Sequence, residues 1–272
     1  MSSPPDPLPI RFSADPPGLP PLLLVHGFYS SRNHWRLNLQ ALRRRYRIIL
    51  AELPGHGQTP GCTDPVRLHP NALADTLDAG RRALGIVRWH ICGQSFGAGL
   101  TLRHALRHPP SVGAQVWTNA NRALAGPGTP QQVQAARDRR DQLVQEGLAA
   151  LRRETFHPRF ARRFPPDLRE ILARDADGCD LATIVALMDH TLPVLPLADR
   201  LADTTVPTLL INGLKERRFQ PQRDLATRLL PQMEVVDLDG GHSINIEQPA
   251  AFDAAVLAFL ARHDPLLDEG AA

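Results

Sequence analysis

The stretch His90-Ile-Cys-Gly-Gln-Ser-Phe-Gly-Ala-Gly99 decides the reading of this chain. A strand-like run, Arg88 to Cys92, enters Gly93-Gln94-Ser95-Phe96-Gly97, and a helix-forming run, Leu100 to Arg107, leaves it. Strand, sharp turn and helix follow in that order. A serine at the tip of such a turn is held at strained backbone angles, and glycines two residues before and after it let the chain fold back closely on itself. The turn lifts the Ser95 hydroxyl clear of the sheet and aims the first helical N–H, that of Phe96, at whatever the serine attacks. Three fixed positions in five are weak alone; their place between a strand and a helix supplies the mechanism.

Upstream, Pro21-Leu-Leu-Leu-Val-His-Gly27 is a continuous apolar run that suits a strand buried on both faces. It ends in His26-Gly27-Phe28-Tyr29-Ser30-Ser31, where glycine lets the backbone approach a ligand, so the Phe28 N–H is a candidate second oxyanion donor beside that of Phe96. The spacing of Trp35, Leu39 and Leu42 predicts a helix over Asn33 to Arg45. Tyr46 to Leu53 reads as a second buried strand, closed by Pro54-Gly55-His56-Gly57, whose two glycines make His56 a residue of a structural bend. A helix from Asn71 to Leu84 leads to the Ser95 strand, and residues 1–18 hold at most a short strand near Ile10 to Ser13. Alternation of this kind predicts an α/β fold, a mostly parallel central sheet flanked by helices.

Downstream, Gly113 to Asn119 is another strand, after which the alternation breaks. Asn121 to Ala202 reads as helices separated by prolines. Thr129-Pro130 starts one, with Val144, Leu148 and Leu151 on its apolar side, and another runs from Cys179 to His190. Some 80 helical residues are too many for a connection and too few for a separate core. The expected division is a core of residues 1–120 and 203–272, with 121–202 as a helical lid inserted between strands. The sheet resumes at Val206 to Gly213, Pro221 to Leu230 is helical, and Met233 to Leu238 opens into Asp239-Gly240-Gly241-His242. A helix from Pro249 to Arg262 precedes a loose tail, Asp264 to Ala272.

With 272 residues, 43% of them hydrophobic, the chain has material for a substantial core. Its net charge is +3, and arginine is interleaved with Asp and Glu, so no nucleic-acid surface is expected; Lys215 is the only lysine. Cys62, Cys92 and Cys179 lie far apart without C-x-x-C spacing, which argues against a disulfide framework or a zinc site and fits a reducing compartment. The N-terminus lacks a signal-peptide pattern, and no apolar run approaches the ~20 residues of a membrane helix. A soluble cytoplasmic protein is expected, needing no metal or organic cofactor.

In order and spacing, His26-Gly27-Phe28, Leu53-Pro-Gly-His-Gly57, Gly93-Gln-Ser-Phe-Gly97, Gly213-Leu-Lys-Glu216 and Gly240-Gly-His242 resemble the motifs of the α/β-hydrolase fold family. The likeness is to its lid-bearing members, related to small esterases, lactonases and carbon–carbon bond hydrolases, and runs from about Leu22 to Leu260. The first two strands usual in that fold are mostly missing, because too few residues precede Leu22. The resemblance implies a nucleophile, an acid and a histidine in that order: Ser95, Glu216 and His242. The family more often has aspartate at the position of Glu216, so the loop must retreat slightly to seat the longer side chain on the imidazole. Asn119 and Asn121, at an alternative acid position, carry no charge, and Asp237 and Asp239 lie too near His242 in sequence.

These residues imply hydrolysis of a small or medium acyl compound, an ester, lactone or thioester, through an acyl-enzyme. Carbon–carbon bond hydrolysis of a diketone-like substrate is the runner-up, and a non-hydrolytic ligand-binding protein of the same fold is the alternative from another class. A pyruvate-expelling synthase of the family has an arginine soon after the nucleophile, where Ala98-Gly99-Leu100 has none. Tyr29, Phe156, Phe160, Met188 and Leu192 are candidate substrate contacts, though side chains of these types also serve simply as packing. The excess of arginine between Arg137 and Arg174 suits an anionic or coenzyme A- or carrier-linked substrate, or else a solvated helix face.

Overall fold

The runs Leu22 to Val25 and Ile48 to Ala51 are apolar at every position because both faces of the sheet are covered. Leu23, Val25, Ile49 and Ile91 pack to one side, while their neighbours Leu22, Leu24, Ile48, Leu50 and Cys92 pack to the other. The computed structural model describes residues 7–264. Its strands are β1 (Arg11–Ala14), β2 (Pro21–Val25), β3 (Arg47–Glu52), β4 (Trp89–Gln94), β5 (Val112–Thr118), β6 (Thr208–Gly213) and β7 (Glu234–Leu238). They form one sheet in the order β1-β3-β2-β4-β5-β6-β7, parallel except for β1.

The helices are α1 (Leu39–Leu42), α2 (Pro70–Ala83), α3 (Phe96–Arg107), α4 (Pro130–Glu146), α5 (Leu148–Arg153), α6 (Pro166–Asp177), α7 (Leu181–His190), α8 (Gln220–Leu229), α9 (Ile244–Glu247) and α10 (Pro249–Ala261). Leu73 and Leu77 of α2 and Leu100 of α3 cover one face of the sheet, continued by Phe219 and Ala226 at α8. Leu42 of α1 and Phe252, Val256 and Phe259 of α10 cover the other. Helices α4 to α7 all fall between β5 and β6. In register, Val25 stands beside Gly93, Gln94 beside Thr118, and Gly213 beside Leu238. The carboxyl ends of the parallel strands therefore form one edge, the edge on which open α/β sheets bind ligands.

Three local expectations change. No helix spans Asn33 to Arg45; a 3-10 turn, Arg32–Trp35, precedes the four-residue α1. The backbone closes here in i to i+3 bonds, from the His34 N–H to the Ser31 carbonyl (3.1 Å), Arg36 to Asn33 (3.1 Å) and Asn38 to Trp35 (2.9 Å), so the segment winds more tightly than an α-helix. Val144 is exposed and Leu143 is the buried residue of α4; the helix stops at Gly147, so Leu148 and Leu151 belong to α5. Asp264 is not loose, because its carboxylate accepts hydrogen bonds from His90 Nε2 at 2.8 Å and Tyr46 Oη at 2.9 Å. The remainder of the expected tail, 265–272, and residues 1–6 lie outside the described residues. Of the two strands usually preceding Leu22 in the fold, β1 alone is present among the described residues.

Candidate active site

Ser95 sits at φ 53°, ψ −111°, between the last residue of β4 and the first of α3. The turn is tight enough that a Cβ on Gly97 would lie 2.4 Å from the Val25 carbonyl oxygen, and one on Gly93 2.3 Å from Thr101 Oγ1. Both glycines are thus required by contact. Facing this turn, Gly27 brings the loop after β2 so close that a Cβ there would meet Gln94 Oε1 at 2.3 Å. Neither the Phe28 nor the Phe96 N–H donates a hydrogen bond among the described residues. The turn therefore holds one unspent donor beside Ser95, and the loop facing it holds another.

Two buried histidines hold the loops around it. His56 Nδ1 donates to the Pro54 carbonyl (2.8 Å), leaving Nε2 to accept the Tyr29 N–H (3.2 Å). His26 does the same between the Gly27 carbonyl (2.7 Å) and the Leu53 N–H (3.1 Å). His56 is accordingly part of the scaffold. Tyr29, held at φ 55°, stacks on Phe156 at 5.3 Å and puts its hydroxyl 3.9 Å from Met188 Sδ.

His242 follows β7, and its Nδ1 lies 2.8 Å from Glu216 Oε2 and 2.9 Å from Oε1. The two loops are stitched by backbone: Leu214 N–H donates to the Leu238 carbonyl (3.0 Å) and Lys215 N–H to that of Gly240 (2.8 Å). Glu216 follows Gly213 by three residues, and the stitching seats its longer side chain against the ring. Burial pushes its carboxyl up, but hydrogen bonding with His242, the imidazole's charge, and the amides of Asn119 and Asn121 outweigh this and hold it below the usual carboxylate range. Among the described residues no hydrogen bond is made at His242 Nε2, and the ring is 43% exposed. Ser95 and His242 meet in one cavity of ≈ 300 Å³, lined also by Phe28, Tyr29, Ser30, His34, Arg139, Phe156, Phe164, Leu172, Met188 and Leu192.

Residues 22–255 match a family model described as the alpha/beta hydrolase family. The chain belongs to that family. This α/β hydrolase is 28% identical over 252 residues to RutD of Pseudomonas syringae pv. syringae, to which carbamate hydrolysis is provisionally ascribed, covering 89% of its own length and 93% of the relative's. Over 255 residues it is 28% identical to the dihydrolipoyllysine-residue acetyltransferase component of the acetoin cleaving system of Pseudomonas putida, again over 89% of its length, but spans only 64% of that protein. Among solved structures, an esterase from Thermogutta terrifontis superimposes with a TM-score of 0.80 at 23% identity, covering 93% of this chain and 94% of that one. No helix among the described residues is long and apolar enough to cross a membrane, and no cluster of three or more His, Cys, Asp or Glu is disposed to hold a metal.

Of the five expected substrate contacts in this α/β hydrolase, Tyr29, Phe156, Met188 and Leu192 line the cavity and Phe160 does not. Phe160 is 49% exposed at the end of a 3-10 turn, with the Arg159 guanidinium over its ring at 5.3 Å. Two residues set aside for lacking charge are at the site's centre: Asn119 and Asn121 each donate an Nδ2–H to the Glu216 carboxylate. Asn119 also accepts the Gly213 N–H at 3.1 Å and donates to the Gly241 carbonyl at 3.2 Å, so it joins the acid loop to the histidine loop. It does so at φ 32°; with Tyr29 and Ser95 it completes the set of non-glycine residues at positive φ among the described residues. Tyr29 and Ser95 line the cavity and Asn119 bonds the carboxylate that holds His242, the distribution expected where backbone strain serves a site.

Proposed function

We propose that this protein is a serine-dependent hydrolase of small or medium acyl compounds, a carboxylic ester, lactone or thioester. The observation that carries the reading is the strained Ser95 sharing one cavity with His242, whose Nδ1 is held 2.8 Å from Glu216. Nε2 of the ring remains for the serine; such contacts are often loose without substrate and tighten on binding. Ser95 Oγ attacks the carbonyl carbon while His242 Nε2 takes its proton, and Glu216 keeps the tautomer and stabilises the imidazolium. The Phe28 and Phe96 N–H groups receive the oxyanion, a contribution of about 3–4 kcal/mol per donor at such sites. His242 then protonates the leaving group, and water attacks the acyl-enzyme to release the acid and restore Ser95.

The helical segment 121–202 acts in this proposal as a lid, since Phe156, Phe164, Leu172, Met188 and Leu192 supply the apolar side of the cavity. Of the ten arginines from Arg137 to Arg174, five are ion-paired: Arg139 with Glu154, Arg140 with Asp189, Arg152 with Asp177, Arg153 with Glu146 and Arg163 with Glu247. Arg139 lines the cavity, and Glu154 already holds its Nε at 2.9 Å. Inside the cavity an uncharged acyl chain is therefore favoured over an anionic one, which would rest on that single guanidinium. Both the ascribed carbamate hydrolysis of RutD and the esterase likeness agree with acyl-type hydrolysis. The test is turnover of p-nitrophenyl acetate, butyrate and octanoate by the wild type and Ser95→Ala. At least one ester should be hydrolysed, with kcat falling by about 10³-fold or more in the variant. Turnover that survives Ser95→Ala would overturn the proposal.

A further inference from the structure

One wall of the cavity is polar, and the hydrolytic steps make no use of it. Ser30 and His34 line it, both buried, and behind them run Asn245, Asn38 and Asp253, buried as well. Every hydrogen bond in this row has its direction set by two backbone carbonyls, which only accept. Asn38 Nδ2 faces the Asn245 carbonyl at 3.0 Å and Asn245 Nδ2 faces the His34 carbonyl at 3.0 Å, so neither amide can be turned round. Their second hydrogens go to Asp253 Oδ1 (2.8 Å) and Asn38 Oδ1 (3.2 Å). Asn245 Oδ1 is thus the atom facing His34 Nε2 at 3.1 Å, and a carbonyl oxygen there requires Nε2 to carry the hydrogen.

Burial lowers the His34 imidazole to about 3, against the Asn245 hydrogen bond that raises it, so the ring is neutral and has one N–H. Nδ1 is then a bare acceptor. Ser30 Oγ, 3.3 Å from it, must donate its hydrogen into the wall. Its lone pairs are left at the cavity surface, with no proton of its own to offer a ligand.

We propose that Ser30 Oγ is an acceptor-only subsite, and that the cavity selects substrates carrying a hydrogen-bond donor, a hydroxyl or N–H, over otherwise similar ones that lack it. His34, Asn245 and Asn38 act as positioning residues that fix the orientation of the Ser30 hydroxyl. A site built around a fixed polar partner discriminates far more strongly than an apolar pocket does by size, because a mismatched group leaves buried polar atoms unpaired. This inference rests on the reading of the cavity as an acyl site.

The experiment compares kcat/KM for p-nitrophenyl 2- and 3-hydroxybutyrate with their O-methyl counterparts, and for the butyrate monoesters of ethylene glycol and of its methyl ether. At least one hydroxyl compound should lead its methyl ether by about tenfold or more in the wild type. Ser30→Ala should reduce that lead to about twofold, and Ser30→Thr, which restores a hydroxyl, should retain it. Ratios near one in the wild type, or a lead undiminished in Ser30→Ala, would overturn the subsite while leaving the hydrolase reading intact. Long-range 15N–1H correlation spectra of the wild type read the His34 tautomer without any substitution or substrate. The proton on Nε2 is the expected result, and a proton on Nδ1 would overturn the proposal whatever the esters do.

Discussion

Asn121 offers the cleanest substitution in the neighbourhood of Glu216, because it donates to that carboxylate and, unlike Asn119, does not bridge two loops. A hydrogen bond to a charged group is worth roughly 1.5–3 kcal/mol, or about ten- to hundredfold in a rate if it matters only once the imidazolium forms. Asn121→Ala is expected to lower kcat on the best ester by about tenfold, Glu216→Gln by more, and the double variant by less than the product of the two. Steady-state kinetics of the three variants measure this; full additivity would mean that Asn121 acts elsewhere. That Ser95, Glu216 and His242 come together was legible in the sequence because each sits at a fixed offset from a glycine in a tight loop. Asn119 and Asn121 were not, since their contribution is hydrogen bonding across strands that sequence spacing does not bring together. Phe160 was misread for a related reason: its place on the short turn Pro158–Phe160 decides which way the ring points, and periodicity has nothing to say about three residues.

Most strands and the longer helices were recoverable within a few residues, because buried strands are continuously apolar and helices have caps. Thr129 shows the second case: its side chain accepts the Gln132 N–H, Gln132 returns the bond to the Thr129 N–H, and Pro130 is the first helical residue. The segment after β2 failed as a helix because its side chains are drawn in several directions at once, Asn38 toward α10 and Ser31 toward α6. That second contact links elements in a testable way. Asp175 Oδ2 of α6 accepts from Ser31 Oγ at 2.6 Å and from Asn33 Nδ2 at 2.9 Å, fastening the helical segment to the loop that carries Phe28. Asp175→Ala deletes two charge-assisted bonds at a partly buried place, and a loss of about 2 kcal/mol is expected in urea denaturation. Limited proteolysis should also cut sooner between residues 119 and 207 than in the sheet. An unchanged midpoint with an unchanged cleavage pattern would show that the fastening is not energetic.

Across the whole molecule, four buried histidines share a requirement for neutrality. His26, His56 and His104 each donate from one ring nitrogen to a carbonyl and accept an N–H at the other; the His104 pair is the Ala74 carbonyl and Trp89 Nε1. Burial lowers His56 and His104 to about 4, His34 to about 3, and His26 well below its ordinary value, there aided by the nearby His56. Since the unfolded chain takes up these protons near pH 6.5 and the folded one only at much lower pH, stability is full above about 6.5 and falls as pH drops toward 4. Each histidine contributes at most about 3 kcal/mol to that fall. Asp253, pushed up to about 7 by burial, works the other way over the same interval, but it is one group against four. Urea denaturation at pH 8, 6.5, 5 and 4 should give a free energy of unfolding that declines steadily below 6.5; a flat profile down to pH 5 would contradict the buried-histidine account.

The α/β order of the sheet was legible from the alternation of apolar runs and helices, whereas the shape of the cavity was not, because its lining comes from loops and helices far apart in the chain. The central claim concerns what that cavity does, and intact-mass analysis after exposure to a fluorophosphonate tests it most directly. A single adduct on the wild type that is lost in Ser95→Ala is the expected result. Failure of the wild type to react, or an adduct that persists in Ser95→Ala, would contradict the assignment of Ser95 as the nucleophile.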